Sequence, residues 1–199
     1  MIPRNLVVAA SLLLALAVGM SLYLWELRRH QESESGTAVA RTTHVAPPAN
    51  GPMEKVTVVV ADDLHQNLRP RTLLMAPASS RQARAFQLLQ GLLDIYQAKD
   101  SVHTLAAAAD LRGVYLTDSG TAVVDVNTAF ADGQTSGILA EELTIASLVQ
   151  TLSVNFPGVT KVKILVDGKE RETLAGHADL SGFYDAAQVS ELAKQLWAQ

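Results

Sequence analysis

The chain is 199 residues long, lacks cysteine, and sets 16 Lys and Arg against 20 Asp and Glu, for a formal charge of −4. The missing thiols exclude disulfides, thiolate metal sites and a lipidated cysteine. The acidic balance, with no basic run beyond adjacent pairs, argues against a nucleic-acid or anionic-lipid surface.

Leu6 to Trp25 form a nearly unbroken apolar run, LVVAASLLLALAVGMSLYLW, without a charged residue. At about 1.5 Å per residue it spans about 30 Å, the thickness of a bilayer's hydrocarbon core. Tyr23 and Trp25 sit where an interfacial aromatic belt belongs. Ala15-Leu16-Ala17 offers a small-x-small cleavage pattern, but cutting there would leave a short apolar core and a greasy mature start. The run is therefore expected to be retained as a helical membrane anchor. Lys and Arg counts on its two flanks (Arg4 against Arg28 and Arg29) nearly balance, so they orient it poorly. The short positive start resembles a signal anchor, which predicts the carboxyl-terminal domain outside the cytoplasm.

From Glu26 to Glu54 the sequence turns polar, carries Pro47, Pro48 and Pro52, and shows no apolar period. Such a segment cannot bury enough surface to offset chain entropy, so a disordered linker reaching about 30 Å is predicted.

The remaining sequence is the size of one ordinary domain. Val56 to Val60 reads as a strand, with Asp62, Asp63, Asn67 and Pro70 ending it. Ser80 to Ala98 reads as a helix on the spacing of Phe86, Leu89, Leu93 and Tyr96. Gly113 to Asn127 reads as a hairpin turning at Asp118-Ser119-Gly120. A helix from Ile138 to Asn155 buries Ile145, Leu148, Val149, Leu152 and Phe156, and Pro157-Gly158 stops it. Val162, Ile164 and Val166 form a strand closed by Asp167-Gly168. A last helix, Ala186 to Ala198, puts Val189, Leu192, Ala193, Leu196 and Trp197 on one face. This order predicts an α+β fold: a small mixed or antiparallel sheet with helices packed on one face. The chain thus divides into an anchor at 1–25, a linker at 26–54, a domain at 55–184 and an amphipathic helix at 185–199.

The hairpin GVYLTDSGTAVVDVNTAF and the run EELTIASLVQTLSVNFPGVTKVKILVDG resemble the core of a GerMN domain, the module named from sporulation and germination proteins. The resemblance rests on Glu142, Leu143, Gln150-Thr151-Leu152, Phe156, Val159, Val162, Ile164, Val166, Asp167 and Gly168. It continues through Leu174-Ala175-Gly176-His177 and Asp179-Leu180-Ser181. It implies a ring-building-like fold and a non-catalytic role in the bacterial envelope, commonly outside the membrane. It brings no catalytic, cofactor or metal residues with it. This chain shows a single copy, where the sporulation protein has two, and a helical rather than a lipid anchor.

Some chemistry can be weighed residue by residue. Asp118-Ser119-Gly120 matches the short signature of aspartic proteases, which need two carboxylates sharing a proton. A homodimer could supply the second Asp118, but the same tripeptide is good turn chemistry between two strands. His30, His44, His65, His103 and His177 lack the paired spacing of metal ligands, and His177 beside Asp179 is the one candidate pair. Asp62-Asp63 reads as a cap or an exposed loop. Glu141 and Glu142 sit about 100° apart on a helix and cannot readily face one reacting atom. Asp125, between Val124 and Val126, is expected to face solvent or a partner.

The expected function is therefore that of a membrane-anchored, extracytoplasmic interaction or scaffold module without cofactors. It would contact an envelope protein or self-associate, through sheet edges and outer helix faces. An anchored dimeric aspartic protease using Asp118 is the alternative; capture of a small envelope ligand, such as a glycan fragment, is a third. Asp118→Asn is expected to leave function intact, and loss of a pepstatin-sensitive activity in that variant would establish the protease instead.

Overall fold

The computed structural model describes residues 51–135 and 137–197. The expected anchor, Leu6 to Trp25, and nearly all of the expected linker lie outside the described residues. Among the described residues no helix is long and apolar enough to cross a membrane.

The α+β class holds, but the single sheet does not. Strands β1 (Glu54–Asp62) and β2 (Asn67–Met75) form a two-stranded sheet of their own. Strands β3 (Leu111–Leu116), β4 (Thr121–Val126), β5 (Lys161–Val166) and β6 (Tyr184–Asp185) form a second, in that order. Its β3–β4 and β5–β6 pairs are antiparallel, and its β4–β5 pair is parallel. The helices are α1 (Arg81–Tyr96), α2 (Thr128–Asp132), α3 (Ile138–Asn155) and α4 (Ala186–Trp197).

Strand β2 contains the Asn67 and Pro70 that the sequence presents as strand terminators. Pro70 is opposite Val59. The Val59 N–H donates to Thr151 Oγ1 at 2.9 Å, away from β2. The Val59–Pro70 pair is thus one that exchanges no backbone bonds, and Pro70's missing donor falls on the far side of β2. A proline is tolerated there because β2 is an edge.

The other edge of β1 is sealed by side chains. Asn155 Nδ2 donates to Thr57 O at 2.6 Å, Thr151 takes the Val59 N–H, and Tyr96 Oη accepts from Ala61 N at 2.8 Å. These are alternate residues, so they are the ones whose backbone groups point off the sheet edge. A third strand is replaced by three side chains from α1 and α3. Of the sheet edges expected as contact surfaces, that of β1 is thus taken up by the chain's own side chains.

Helix α1 starts at Ser80, whose hydroxyl accepts from Ala83 N at 3.0 Å, the ordinary cap of a first turn. Its buried stripe is Leu88, Leu89, Leu92, Leu93 and Tyr96. A Cβ at Gly91 would stand 2.5 Å from Met75 Cε, the mobile end of a side chain reaching over from β2. Helix α3 matches its predicted bounds but is buried nearly all round, including Glu141, Thr144, Ser147, Gln150 and Thr151. Such a helix is a core element rather than an amphipathic cover. At the β3–β4 turn Gly120 has φ 86, and a Cβ there would stand 2.6 Å from Gly158 O.

Thr151→Val would leave the Val59 N–H buried without a partner. It is expected to cost about 1–3 kcal/mol, while Thr151→Ser, which keeps the hydroxyl, recovers most of that. Urea unfolding midpoints of the two variants would check it.

Candidate functional site

The segment after β5 carries little regular structure, yet Leu174 and Leu180 are fully buried. Two buried charges of opposite sign hold it. Glu141, wholly buried near the start of α3, accepts from the N–H groups of Ala175 (3.1 Å), His177 (2.9 Å) and Ala178 (2.9 Å). The His177 ring adds Nδ1 at 2.8 Å. Lys163, buried on β5, donates to the carbonyls of Leu180 (3.1 Å) and Ser181 (2.6 Å) and pairs with Glu170 at 3.2 Å. Anion thus meets backbone donors and cation meets backbone acceptors, which is how buried charge becomes tolerable. Burial alone would raise the Glu141 pKa. The His177 ring and the N–H groups of Ala178, His177 and Ala175 outweigh it and hold the carboxyl at about 2.

The pinned loop forms one wall of an open groove of about 560 Å³. Leu139, Leu143 and Ala146 of α3 and Val189, Leu192 and Ala193 of α4 supply apolar lining, and Phe183 and Tyr184 close the loop side. Leu192 and Phe183 are each 61% exposed. Glu142, His177 and Asp179 are the charged or titratable lining groups besides Tyr184. The Tyr184 phenol is pushed up to about 12 by burial and by the charges of Asp179 and Glu142. A second depression, about 550 Å³, lies between β2 and α1 near Leu73, Met75 and Ile95.

Asp118 sits exposed at the β3–β4 tip, in a turn where the Thr117 N–H bonds Thr121 O at 2.9 Å. The hydrogen bonds of the 117–121 turn account for its geometry. His177 bonds Glu141 rather than Asp179. Glu141 and Glu142 diverge as their spacing predicts, one inward and one at the groove rim. Two expectations need correction. Asp125 is only 9% exposed, because Arg112 (Nε to Oδ2, 3.4 Å) and the Gly168 N–H (2.7 Å) cover it. Leu192 leaves the buried face of α4 for the groove; the side chains of Leu196 and Trp197 are outside the described residues.

Sequence reading missed a buried relay. His103 Nδ1 lies 2.8 Å from Asp63 Oδ1, and its Nε2 lies 2.9 Å from Thr144 Oγ1. That is the acid–base–hydroxyl order of a hydrolytic triad. Thr144 has no exposure, however, and its hydroxyl also bonds Gln134 Oε1 (2.7 Å) and Ala140 O (3.0 Å). With His103 3% exposed and edge-on to Tyr96, the set ties the 101–105 loop to α3. Asp62, the other half of the acidic pair, accepts from the His65 N–H and ring and faces Arg69. Burial pulls its pKa up, and these contacts bring it below the usual value. No sequence spacing announces the His103 relay, because its partners lie 40 and 41 residues away in the chain.

The Germane family, described as sporulation and spore germination, matches residues 50–172. The tandem GerMN domains of the sporulation protein GerM from Bacillus subtilis share the fold at TM-score 0.52 and 19% identity, over 68% of this chain and 47% of that one. The chain therefore spans about half of that tandem structure. The first GerMN domain of the same protein aligns at TM-score 0.45 and 19% identity, over 64% of this chain and 92% of that one. No curated protein sequence matches significantly.

Glu141→Gln replaces an oxygen acceptor by an amide N–H₂ facing backbone donors. A free Glu carboxyl titrates near 4.5 and the folded one at about 2, so its stabilisation is complete above about pH 4.5 and is lost as pH falls toward 2. The variant should lose about 3 kcal/mol near neutrality. Its unfolding midpoint should also fall less steeply between pH 4.5 and 2 than the parent's, as chemical denaturation at several pH values would show.

Proposed function

This chain belongs to the Germane family, sporulation and spore germination, and from that premise we propose that it is a membrane-anchored, extracytoplasmic, non-catalytic interaction or scaffold module of the bacterial cell envelope. The observation that carries the reading is the groove between α3, α4 and the pinned loop. Its surface is mostly apolar, two large hydrophobic side chains stand exposed at its margins, and its loop wall is fixed by Glu141 and Lys163. A fixed apolar surface of this kind suits docking, since little ordering entropy is lost on contact. The length and apolarity of the Leu6 to Trp25 sequence support anchoring.

A photo-crosslinking residue at position 192, in native membranes, is expected to capture a discrete extracytoplasmic protein or a second copy of this chain. The same residue at position 118 should capture far less. Crosslinks to cytoplasmic proteins would overturn the orientation, and turnover of any substrate by the purified protein would overturn the non-catalytic reading.

A further inference from the structure

We propose that the groove takes a basic amphipathic protein segment, its apolar face against Leu192 and Phe183 and its Lys or Arg side chains beside Glu142 and Asp179. The inference rests on the docking reading and adds the chemistry of the partner. The groove's charge is complementary to such a segment. No Lys or Arg lines the groove, whereas Glu142 and Asp179 both do, and both are exposed. Glu142 makes no hydrogen bond or ion pair within the described residues, so its charge is free for a partner. Asp179 is held in place by the Ser181 N–H at 2.7 Å.

Lys163 helps hold the Asp179 carboxyl below its usual range, after the Ser181 contacts, and none of its contacts is with Glu142. Lys163 is buried and committed to two carbonyls and Glu170, although its ammonium stands 5.7 Å from the Phe183 ring centre. The two carboxylates also act on one point: both raise the Tyr184 phenol from opposite segments of the chain. The groove therefore presents an apolar floor with two exposed carboxylates on its lining. A partner with an apolar stripe flanked by cations satisfies both, and an acidic one is repelled. In such an interface the apolar anchors carry most of the affinity, and the rim charges set preference and association rate.

Two labelled synthetic helical peptides with the same Leu face, one bearing Lys and one bearing Glu on the polar face, would test it. Binding to the full chain in neutral detergent micelles is read by fluorescence anisotropy, with empty micelles subtracted. The parent should prefer the Lys peptide by about tenfold or more. Leu192→Asp should weaken it by about tenfold without unfolding the domain, because Leu192 is largely exposed. Glu142→Lys should shrink or reverse the preference, and added salt should shrink it too. Equal binding of both peptides that Leu192→Asp abolishes would overturn the basic partner and leave the docking groove standing. Failure of both to bind, or indifference to Leu192→Asp, would overturn the inference outright.

Discussion

One buried helix supplies hydrogen-bond partners for two backbone segments whose own pairing leaves groups open. Near its middle and end, α3 offers Thr151 and Asn155 to the open edge of β1; near its start it offers Glu141 to the loop beyond β5. An unpaired buried N–H or carbonyl costs more than a formed bond gains, so these side chains decide which packings are possible at all. The two-stranded sheet can stand apart from the four-stranded one only because α3 and Tyr96 finish its edge. The loop can run through the interior only because Glu141 and Lys163 accept and donate where no strand does.

The arrangement explains the crowding of polar residues on a helix that is otherwise core. Thr144, Ser147, Gln150 and Thr151 would weaken a purely apolar interior. Most of them are bonded: Thr144 to His103 and Gln134, Ser147 to the Thr144 carbonyl, Thr151 to Val59. The His103 relay belongs with this set. It has the atoms of a hydrolytic triad and lacks the access one needs, so its role is to fix the 101–105 loop.

Much of this fold was legible in the sequence where periodicity is local. Helix α3 emerged at its observed bounds, and β1, β5 and the β3–β4 hairpin at nearly theirs, because apolar spacing and turn residues report them directly. Strand β2 did not, since Pro70 and two exposed arginines hide a strand buried mainly at Leu68. Strand β6 has two residues and α2 has five, too short for any period to show. Glu141 left one readable trace. It falls in phase with Ile145, Leu148 and Leu152, so a carboxylate lies on the apolar stripe, which signals a buried partner of unknown address. Lys163 gave none, because alternation with Val162 and Ile164 places it correctly on the opposite face, and only the later loop covers that face. The groove was illegible for the same reason: its walls come from three segments that meet only in the folded chain.

The neighbouring carboxylates of α3 separate two roles within a single turn of helix. Glu141 points inward and is fully consumed by the loop's N–H groups; Glu142 points to the groove and makes no bond. The rise and rotation of a helix alone produce that division, about 100° between adjacent residues. A cation docking at Glu142 would therefore leave the latch at Glu141 untouched, so the loop wall need not move for the groove to be filled. This is how a domain can bind by contact while keeping its shape. It also places any tuning of partner choice in exposed groups that cost the fold little to change.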